Sequence, residues 1–479
     1  MASTAPRPGD GTPSGFRTSP GDAEPPGVGA PRGGSVGTSA LREATRAYVL
    51  SRIVVWGAGL LALLIFGWVA SKGQRLDPLA LCRPGGGAFD VLVSPGCRYD
   101  ATWYLLIARD GYDAADPSRS AFFPLYPYLM AAIASPFGSG GAATVVAGLV
   151  LSAAAAIGFL TLLHRAVSGF RDPAAATTVV RIAAYLPPAV VLSALYTEGL
   201  FLLLSLGALV AARRDRWALA GLLGAAAAAC RSVGVLLVVP LLVEYLWGRR
   251  PGAGARSGRW GGAHRRAGRR PEVAPRAERR PGAGPRLERW RPRRRLGSDA
   301  LGIALVLLGI VAVAGLLAAT TDDALGFVHA QDGWERRFLT PVGGVALGAW
   351  AVVGRALELV GIGHAAELAD GQSPALVLVR DLLLLTLVAT AIAALWWARR
   401  RMPVSWLAWG AVALAYPLSV PAVQQPLMSL PRFAYAAFPV IVAIGLWVHD
   451  TGRTRRLVPV LLVLQGLFAM LFVAWGQSP

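Results

Sequence analysis

Charge is scarce in this sequence. Asp, Glu, Lys and Arg make up only 15% of its 479 residues, whereas 54% are hydrophobic. Soluble domains carry roughly 25% charged residues, so this composition excludes an ordinary soluble protein. The hydrophobic residues gather in runs of about 17 to 25, each long enough to cross a hydrocarbon core roughly 30 Å thick. The sequence therefore predicts an all-α, polytopic integral membrane protein with about 11 transmembrane helices and further extracytoplasmic interfacial helices.

Lysine is almost absent, because Lys72 is the only one among 47 basic residues. The net charge of +20 comes from arginine, and the segment 249–295 alone holds 17 Arg and 3 Glu. Pro and Gly interrupt this segment and no helical period is present. We therefore predict a disordered cytoplasmic insert at 248–298 that lies on anionic lipid headgroups. Its two Trp do not make a stacking platform, so we expect no nucleic-acid partner.

Cysteine and histidine are also few. Three cysteines exclude a disulfide-stapled scaffold, but Cys82 and Cys97 fall in one polar loop. They form either a disulfide or two free thiols. His329 has no second His or Cys at metal-ligand spacing, so the sequence contains no zinc motif. It also lacks a Walker A motif, a Rossmann glycine pattern and a serine-hydrolase elbow.

The chain divides into two membrane halves. Residues 1–40 contain 7 Pro and 9 Gly with almost no aliphatic side chains, which predicts a disordered tail. The first apolar run, at 48–70, comes too late and is too long for a signal peptide, so we expect a retained span after a cytoplasmic N terminus. The first half occupies 41–247 and includes a catalytic outer loop at 71–120. The second half occupies 299–479.

Arginine runs set the orientation of the spans. Those at 213–216, 398–401 and 452–456, together with the insert, are expected to be cytoplasmic. The segment 217–247 must then cross twice, as two short halves that turn near Arg231. The same rule places 322–373 outside the cytoplasm, with 342–362 as an amphipathic helix in the interface. Residues 177–193 are then re-entrant, or the helix count in that region is wrong by one.

Four ionisable residues lie at the edges of apolar runs: Asp100, Glu198, Arg231 and Arg432. A charge at the centre of a span costs about 2.5 kcal/mol or more, so each is a candidate site residue. All four are expected on the extracytoplasmic face. Asp100 begins a helical pattern and is either a helix cap or a catalytic base. The two arginines either neutralise the acids or bind a phosphate through their planar forks.

Aromatic residues bring the chain back to the membrane after Asp100. Phe122, Phe123 and Tyr126 alternate with prolines, which predicts a rigid wall beside a lipid-accessible cleft. The outer loop at 322–341 adds further candidates, although a lone histidine in such a loop is more often a surface residue than a ligand. The candidate substrate-binding residues are Trp103, Tyr112, Phe123, Tyr126, His329 and Trp334.

Several of these segments resemble those of the PIG-V type of mannosyltransferase, in the same order and at roughly the same intervals. They are "RYDATWYLLIARDGY", "AFFPLYP", "LYTEGLF", "RSVG", "FVHAQDGWERR" and "LPRFAYAAFP". That enzyme adds the second mannose in glycosylphosphatidylinositol assembly, has bacterial relatives and belongs to the GT-C glycosyltransferases. The resemblance covers about residues 42–475 and excludes the insert.

The resemblance implies a polyprenyl-phosphate-linked mannose donor, used on the non-cytoplasmic face in an inverting transfer. Asp100 matches the acid of the first outer loop, which serves the acceptor hydroxyl, and Glu198 matches the second acidic position, so the resemblance implies that both are catalytic residues. Arg231 and Arg432 are assigned to the leaving phosphate from their position alone. Metal dependence stays open, because some GT-C enzymes bind a divalent ion at the two acids and others do not.

The acceptor is a glycolipid, a cell-wall glycan or a protein. The main alternative function is a polytopic transporter or lipid flippase, which would also bury Glu198 and Arg231. A transporter is expected to show internal repeats and polar residues at mid-span, and neither is evident here. A non-catalytic scaffold that recruits partners through the basic insert is the remaining alternative.

Overall fold

A computed structural model describes residues 33–67, 77–138, 140–248, 297–362, 373–422, 425–427 and 429–474. The chain up to residue 32 and the arginine-rich stretch at 249–296 lie outside the described residues, so the disorder expected there stays a prediction. The first helix begins at Gly33. Residues 33–40 therefore belong to this helix, contrary to the tail boundary predicted at residue 40.

Helices follow one another along the described chain, which contains no β-strand; a single isolated bridge joins Arg336 to Ala422. The first half contains α1 (Gly33–Phe66), α2 (Gly87–Val93), α3 (Ala101–Asp110), α4 (Leu125–Ala134), α5 (Gly141–Ser168), α6 (Pro173–Tyr185), α7 (Glu198–Ala212), α8 (Trp217–Cys230) and α9 (Val238–Trp247). The second half contains α10 (Leu301–Ala304), α11 (Leu307–Thr321), α12 (Gly326–His329), α13 (Pro341–Leu359), α14 (Pro374–Ala398), α15 (Val404–Ser419), α16 (Leu430–Ala436), α17 (Phe438–Asp450) and α18 (Thr454–Val473).

Apolar helices of membrane-spanning length dominate this architecture. Among the described residues, six helical segments are long and apolar enough to cross a bilayer: Thr38–Phe66, Gly141–Ser168, Ser298–Thr321, Pro341–Leu359, Pro374–Ala398 and Thr454–Val473. Helices α16 and α17 together make a seventh candidate that is bent by 81°, and five shorter apolar helices accompany them. The all-α, polytopic membrane fold is thus confirmed, whereas the count of about 11 crossings stays a prediction.

The apolar stretch at 217–247 is split as expected. Helix α8 ends at Cys230, Arg231 takes an extended conformation with φ −155° and ψ 142°, and a 3-10 turn at Ser232–Leu237 leads into α9. Gly234 allows the chain to return closely, because a Cβ there would lie 2.4 Å from the Ala227 carbonyl oxygen. Because of this break, Arg231 lies between two short helices and not inside one long helix.

The segment predicted to be re-entrant at 177–193 is also broken. Helix α6 ends at Tyr185, before the consecutive prolines Pro187 and Pro188, which cannot donate to a continuing helix. A 3-10 turn at Pro187–Leu192 follows, and the chain then turns into α7, which begins at Glu198. This break brings Tyr196, Thr197 and Glu198 to a helix start.

Helix α13 corresponds to the interfacial helix predicted at 342–362. Near its start, a Cβ on Gly344 would lie 1.8 Å from the carbonyl oxygen of Leu418; near its end, Arg355 donates to Asp381 at 3.0 Å. Leu418 lies at the end of α15 and Asp381 in the first third of α14. The end of α14 is joined to the start of α15, so Asp381 and Leu418 both lie at the opposite end of this helix pair. Helix α13 therefore lies across that end of the pair. These contacts favour an interfacial helix.

The loop that leads into α3 is fixed at several points. Cys82 and Cys97 form a disulfide with a Cα–Cα distance of 5.6 Å, which resolves the alternative left open by the sequence. Arg98 is fully buried, and its Nε donates to the carbonyl oxygen of Val473 at 2.9 Å, at the end of α18. A buried cation at a helix C terminus is favourable because the last carbonyls carry partial negative charge. The residues before Asp100 are therefore tied to the helix bundle.

Candidate active site

Asp100 lies directly before α3, at the point where the loop turns into the helix. Tyr99 has φ 50°, in the left-handed region, and the Asp100 side chain makes no capping hydrogen bond to α3. Its carboxylate instead pairs with Arg432. Capping was one of the two roles considered for Asp100, and it is wrong, because the carboxylate bonds to Arg432 and not to the amides of α3.

Tyr196 holds the backbone on both sides of this turn. Its hydroxyl donates to the Arg98 carbonyl oxygen at 3.1 Å and accepts from the Asp100 amide at 3.3 Å. The tyrosine is completely buried, so both bonds are shielded from water. Asp100 therefore has a fixed backbone, while a quarter of its side chain stays exposed to the cavity described below.

Glu198 lies behind Asp100 and is almost completely buried, with 1% of its side chain exposed. Its Oε1 accepts from Arg231 at 2.5 Å and lies 3.1 Å from the Nε of Arg432. Arg231 also donates to the hydroxyl of Thr197 at 3.0 Å. Arg432 contacts both acids, so the structure brings together the four ionisable residues predicted to share one face.

A third arginine, Arg336, belongs to the same cluster and was missed in the sequence. The guanidinium groups of Arg231, Arg336 and Arg432 lie 5.5, 5.6 and 5.4 Å from the ring centre of Phe433. Cations at such distances are attracted by the negative face of an aromatic ring. The adjacent arginines Arg336 and Arg337 in "WERRF" were the available signal, but no local pattern indicated which of the two faces inward.

A cavity of about 400 Å³ lies against these groups. Asp100, Arg231, Arg336 and Arg432 contribute to its wall. Aromatic side chains form another part of the wall: Trp103 stacks on Phe122 at 5.3 Å, and Trp334 meets these two rings edge-on at 6.4 and 5.9 Å. The cavity thus combines a polar surface of one acid and three arginines with an aromatic surface.

The predicted substrate-binding residues separate into two groups. Trp103, Phe123 and Trp334 line the cavity. The Tyr112 hydroxyl instead donates to the Phe122 carbonyl oxygen at 2.5 Å, and the Tyr126 hydroxyl bonds to Ser152 at 2.7 Å. His329 is 63% exposed and pairs with Asp323 at 2.8 Å, and this hydrogen bond lowers the pKa of Asp323. These last three predicted residues are not brought to the cavity wall.

The two acids do not form a metal site in this arrangement. The guanidinium of Arg432 contacts both Asp100 and Glu198, and so occupies the place where a bridging cation would lie. Within the described ranges, no group of three or more His, Cys, Asp or Glu side chains could hold a metal ion. A divalent ion bound by several carboxylates does not fit these residues.

Burial and charge act together on Arg336. Burial lowers the pKa of Arg336, and the positive charge of the nearby Arg432 acts in the same direction. Both effects disfavour the charged form of a side chain that stays protonated at neutral pH. A negatively charged ligand in the cavity would relieve this unfavourable electrostatic environment.

No protein-family model matches this chain, and no curated protein matches it in sequence. Two structures of an oligosaccharyltransferase from Archaeoglobus fulgidus are similar to it, each with 13% identity. One is tethered through a disulfide to an acceptor peptide containing the NVT sequon; its TM-score is 0.37, with 90% of this chain and 56% of that chain covered. The other is a complex with zinc and sulfate; its TM-score is 0.30, with 89% and 53% covered.

The chain therefore spans just over half the length of these two structures. The resemblance to PIG-V type mannosyltransferases is not matched by a family model and stays a prediction. By its own helices, the chain is an all-α, multi-pass membrane protein.

Proposed function

We propose that this protein is a membrane glycosyltransferase of the GT-C type. It transfers a mannose from a polyprenyl-phosphate-linked donor to a glycolipid, glycan or protein acceptor on the extracytoplasmic face. The observation that carries the proposal is the cavity in which Asp100 faces three arginines and an aromatic wall. A base, positive charge for a phosphate and an apolar surface for a lipid are the groups that this reaction needs.

The transfer is written as one inverting displacement. Asp100 takes the proton of the acceptor hydroxyl, and the acceptor oxygen forms a bond to the anomeric carbon of the mannose. The bond from that carbon to the phosphate oxygen breaks, and its electron pair stays on the polyprenyl phosphate. Asp100 is suited to this role because its backbone is fixed and its carboxylate is partly exposed to the cavity.

The charges of the cluster fit this reaction before and after transfer. Three guanidinium groups and two carboxylates leave one positive charge, which matches the single negative charge of a phosphate joined to both lipid and sugar. After transfer, Asp100 is neutral and the cluster carries two positive charges. The released polyprenyl phosphate then carries close to two negative charges at neutral pH. Fixed charges that match the product help to stabilise the leaving group.

Glu198 is assigned a positioning role within this scheme. Its side chain is enclosed and binds Arg231 and Arg432 from behind, so it holds two guanidinium groups in place without facing the cavity. The aromatic residues Trp103, Phe122 and Trp334 would contact the sugar and the first isoprene units.

The extracytoplasmic location is supported by two independent features. Arginine runs at 213–216, 398–401 and 452–456 favour the cytoplasmic side, opposite Asp100. The Cys82–Cys97 disulfide lies in the loop that precedes Asp100, and disulfides persist in oxidising compartments. Both features support an extracytoplasmic cavity, on the side where a flipped lipid-linked sugar would be available.

The proposed transfer is tested by measuring whether the bond to the labelled mannose becomes stable to acid. Membranes that contain the chain are given radiolabelled polyprenyl-phosphate mannose, and lipid and polymer fractions are treated with mild acid. Glycosyl transfer converts the acid-labile phosphodiester into an acid-stable glycoside, so acid-stable label is expected. A transporter or flippase would move the labelled lipid across the bilayer without this change. Label that stays fully acid-labile would reject the proposal.

A further inference from the structure

Arg336 lies on a short stretch of chain that pairs with the residues after α15. The Leu339 amide donates to the Ser419 carbonyl oxygen at 2.7 Å, and the Arg337 amide donates to that of Pro421 at 3.1 Å. Arg336 itself forms the bridge to Ala422. Neighbouring residues of an extended chain point to opposite sides, and the exposure follows this rule: Arg336 lines the cavity, whereas Arg337 is exposed.

The three arginines around Phe433 differ in their partners. Arg231 and Arg432 are each paired with a buried or partly buried carboxylate. Among the described residues, Arg336 forms no such ion pair. It donates to the Val420 carbonyl oxygen at 3.3 Å, and its guanidinium lies beside the ring of Phe433. The positive charge that the two acids leave uncompensated is therefore concentrated at Arg336.

We infer that Arg336 is the principal donor-binding residue of the cavity and contacts the phosphate of the lipid-linked sugar. This inference rests on the proposed function, and it assigns to Arg336 the anchoring role that the sequence suggested for Arg231 and Arg432. A guanidinium presents two parallel N–H donors to a phosphate, so it can hold the group while the paired arginines respond to the charge that develops during transfer.

Binding of a short donor analogue tests this inference directly. The full chain, purified in detergent, is titrated calorimetrically with farnesyl phosphate, with farnesol as the ligand that lacks phosphate. The wild-type chain is expected to prefer farnesyl phosphate. Arg336→Gln is expected to weaken farnesyl phosphate binding by about 10- to 100-fold, the range for loss of a hydrogen bond to a charged group, and to leave farnesol binding unchanged.

Arg337→Gln is the matched control, because it removes the neighbouring charge from the exposed side of the same stretch. It is expected to bind both ligands as the wild type does. Wild-type affinity of Arg336→Gln for farnesyl phosphate would overturn the inference, as would an equal loss in both glutamine variants. If Arg336→Gln loses both ligands, Arg336→Lys decides: a restored preference for farnesyl phosphate supports the inference, and no preference rejects it.

The same variants separate this inference from the proposed function. In the transfer assay, Arg336→Gln is expected to raise the KM for polyprenyl-phosphate mannose more than it lowers kcat. Transfer with an unchanged donor KM would keep the glycosyltransferase and reject the role of Arg336. A wild-type chain that prefers farnesyl phosphate through Arg336 but transfers no mannose would keep the anion site and reject the glycosyltransferase.

Discussion

Arg432 contacts both acids of the cavity, and this shared contact links the proposed base to the phosphate site. Its guanidinium pairs with Asp100 on the cavity side and lies 3.1 Å from Glu198 on the buried side. If Asp100 takes a proton as proposed, its attraction for Arg432 would weaken, and the guanidinium would become available to the leaving phosphate. One arginine would thereby connect proton removal with stabilisation of the leaving group.

Glu198→Gln tests the positioning role of the buried acid. The substitution keeps the shape but removes the charge that holds Arg231 and Arg432, and loss of one partner of a buried pair costs about 3 kcal/mol. We expect a lower unfolding temperature in detergent and a kcat lowered by about 10-fold or more, because Arg231 and Arg432 are no longer held in place for the charge that develops during transfer.

Glu244→Gln serves as the control for this change. Glu244 is also buried, with 6% exposure, but it bonds to Ser405 and does not line the cavity. We expect its kcat to stay at the wild-type value. A wild-type KM and kcat in Glu198→Gln would contradict the positioning role.

The predicted site residues could be found because a charge beside an apolar run is conspicuous in a membrane protein. Asp100, Glu198, Arg231 and Arg432 were selected in this way, and the structure brings them together. Arg336 could not be selected, because its place depends on pairing with a segment 86 residues further along the chain. A local sequence pattern carries no information about such a contact.

Breaks between helices position the cluster at the level of the elements. Asp100 directly precedes α3, and Glu198 is the first residue of α7. Arg231 lies between α8 and the next 3-10 turn, and Arg432 is the third residue of α16. Each charged side chain thus lies at a helix end and not in the middle of a span. Helix ends also leave backbone groups free for polar partners, which makes them suitable places for a buried polar site.

One candidate span is bent. No polar residue interrupts the sequence between Phe433 and Trp447 except Tyr435, yet α16 and α17 meet at an angle of 81°. Ala437, with ψ 64°, precedes Phe438 and Pro439 at the start of α17. Proline at the second helical position suits a new helix start, but composition alone could not show that the chain restarts there with so large a bend.

The disulfide gives a prediction for the loop before Asp100. Cys82 and Cys97 are 15 residues apart, and closing a loop of that length contributes about 3 kcal/mol. We expect the double variant Cys82→Ser/Cys97→Ser to unfold at a lower temperature and to lose activity, because the backbone that carries Asp100 is less restrained. Thermal unfolding in detergent and the transfer assay measure the two effects.

Reductant provides the internal control for this prediction. Dithiothreitol is expected to lower the unfolding temperature of the wild-type chain towards that of the double serine variant, and to leave the variant unchanged. Equal stability of the wild type and the variant without reductant would contradict a stabilising bridge.

At the scale of the whole molecule, the fold class followed directly from composition. Long apolar runs with little charge have few alternatives to membrane-spanning helices, and arginine runs orient them. The turn of the 217–247 segment at Arg231 was predicted from this charge rule before any packing was considered, and the structure has it there. The number of crossings could not be predicted as well from the sequence. Hydropathy identifies a span by an apolar run long enough to cross the bilayer, and the short and broken helices do not reach that length.

The orientation is tested with an impermeant maleimide added to intact cells. Ala114→Cys lies in the loop after α3, and Thr451→Cys lies beside the arginines at 452–456; both positions are exposed. The native cysteines give little background, since two are bridged and Cys230 is buried. We expect Ala114→Cys to be labelled and Thr451→Cys to be protected until the cells are opened. The reverse pattern would place the cavity on the cytoplasmic side.

Asp100 is proposed as the base of a mannosyl transfer, and a pair of matched substitutions tests this role. Asp110 is the last residue of α3, the helix that Asp100 precedes, but it is exposed and paired with Arg109 at 2.7 Å, so Asp110→Asn repeats the chemical change outside the cavity. With radiolabelled polyprenyl-phosphate mannose as donor, we expect Asp100→Asn to lower the transfer rate by about 10²- to 10⁴-fold and Asp110→Asn to keep the wild-type rate. A full rate in Asp100→Asn, or an equal loss in both variants, would contradict the account.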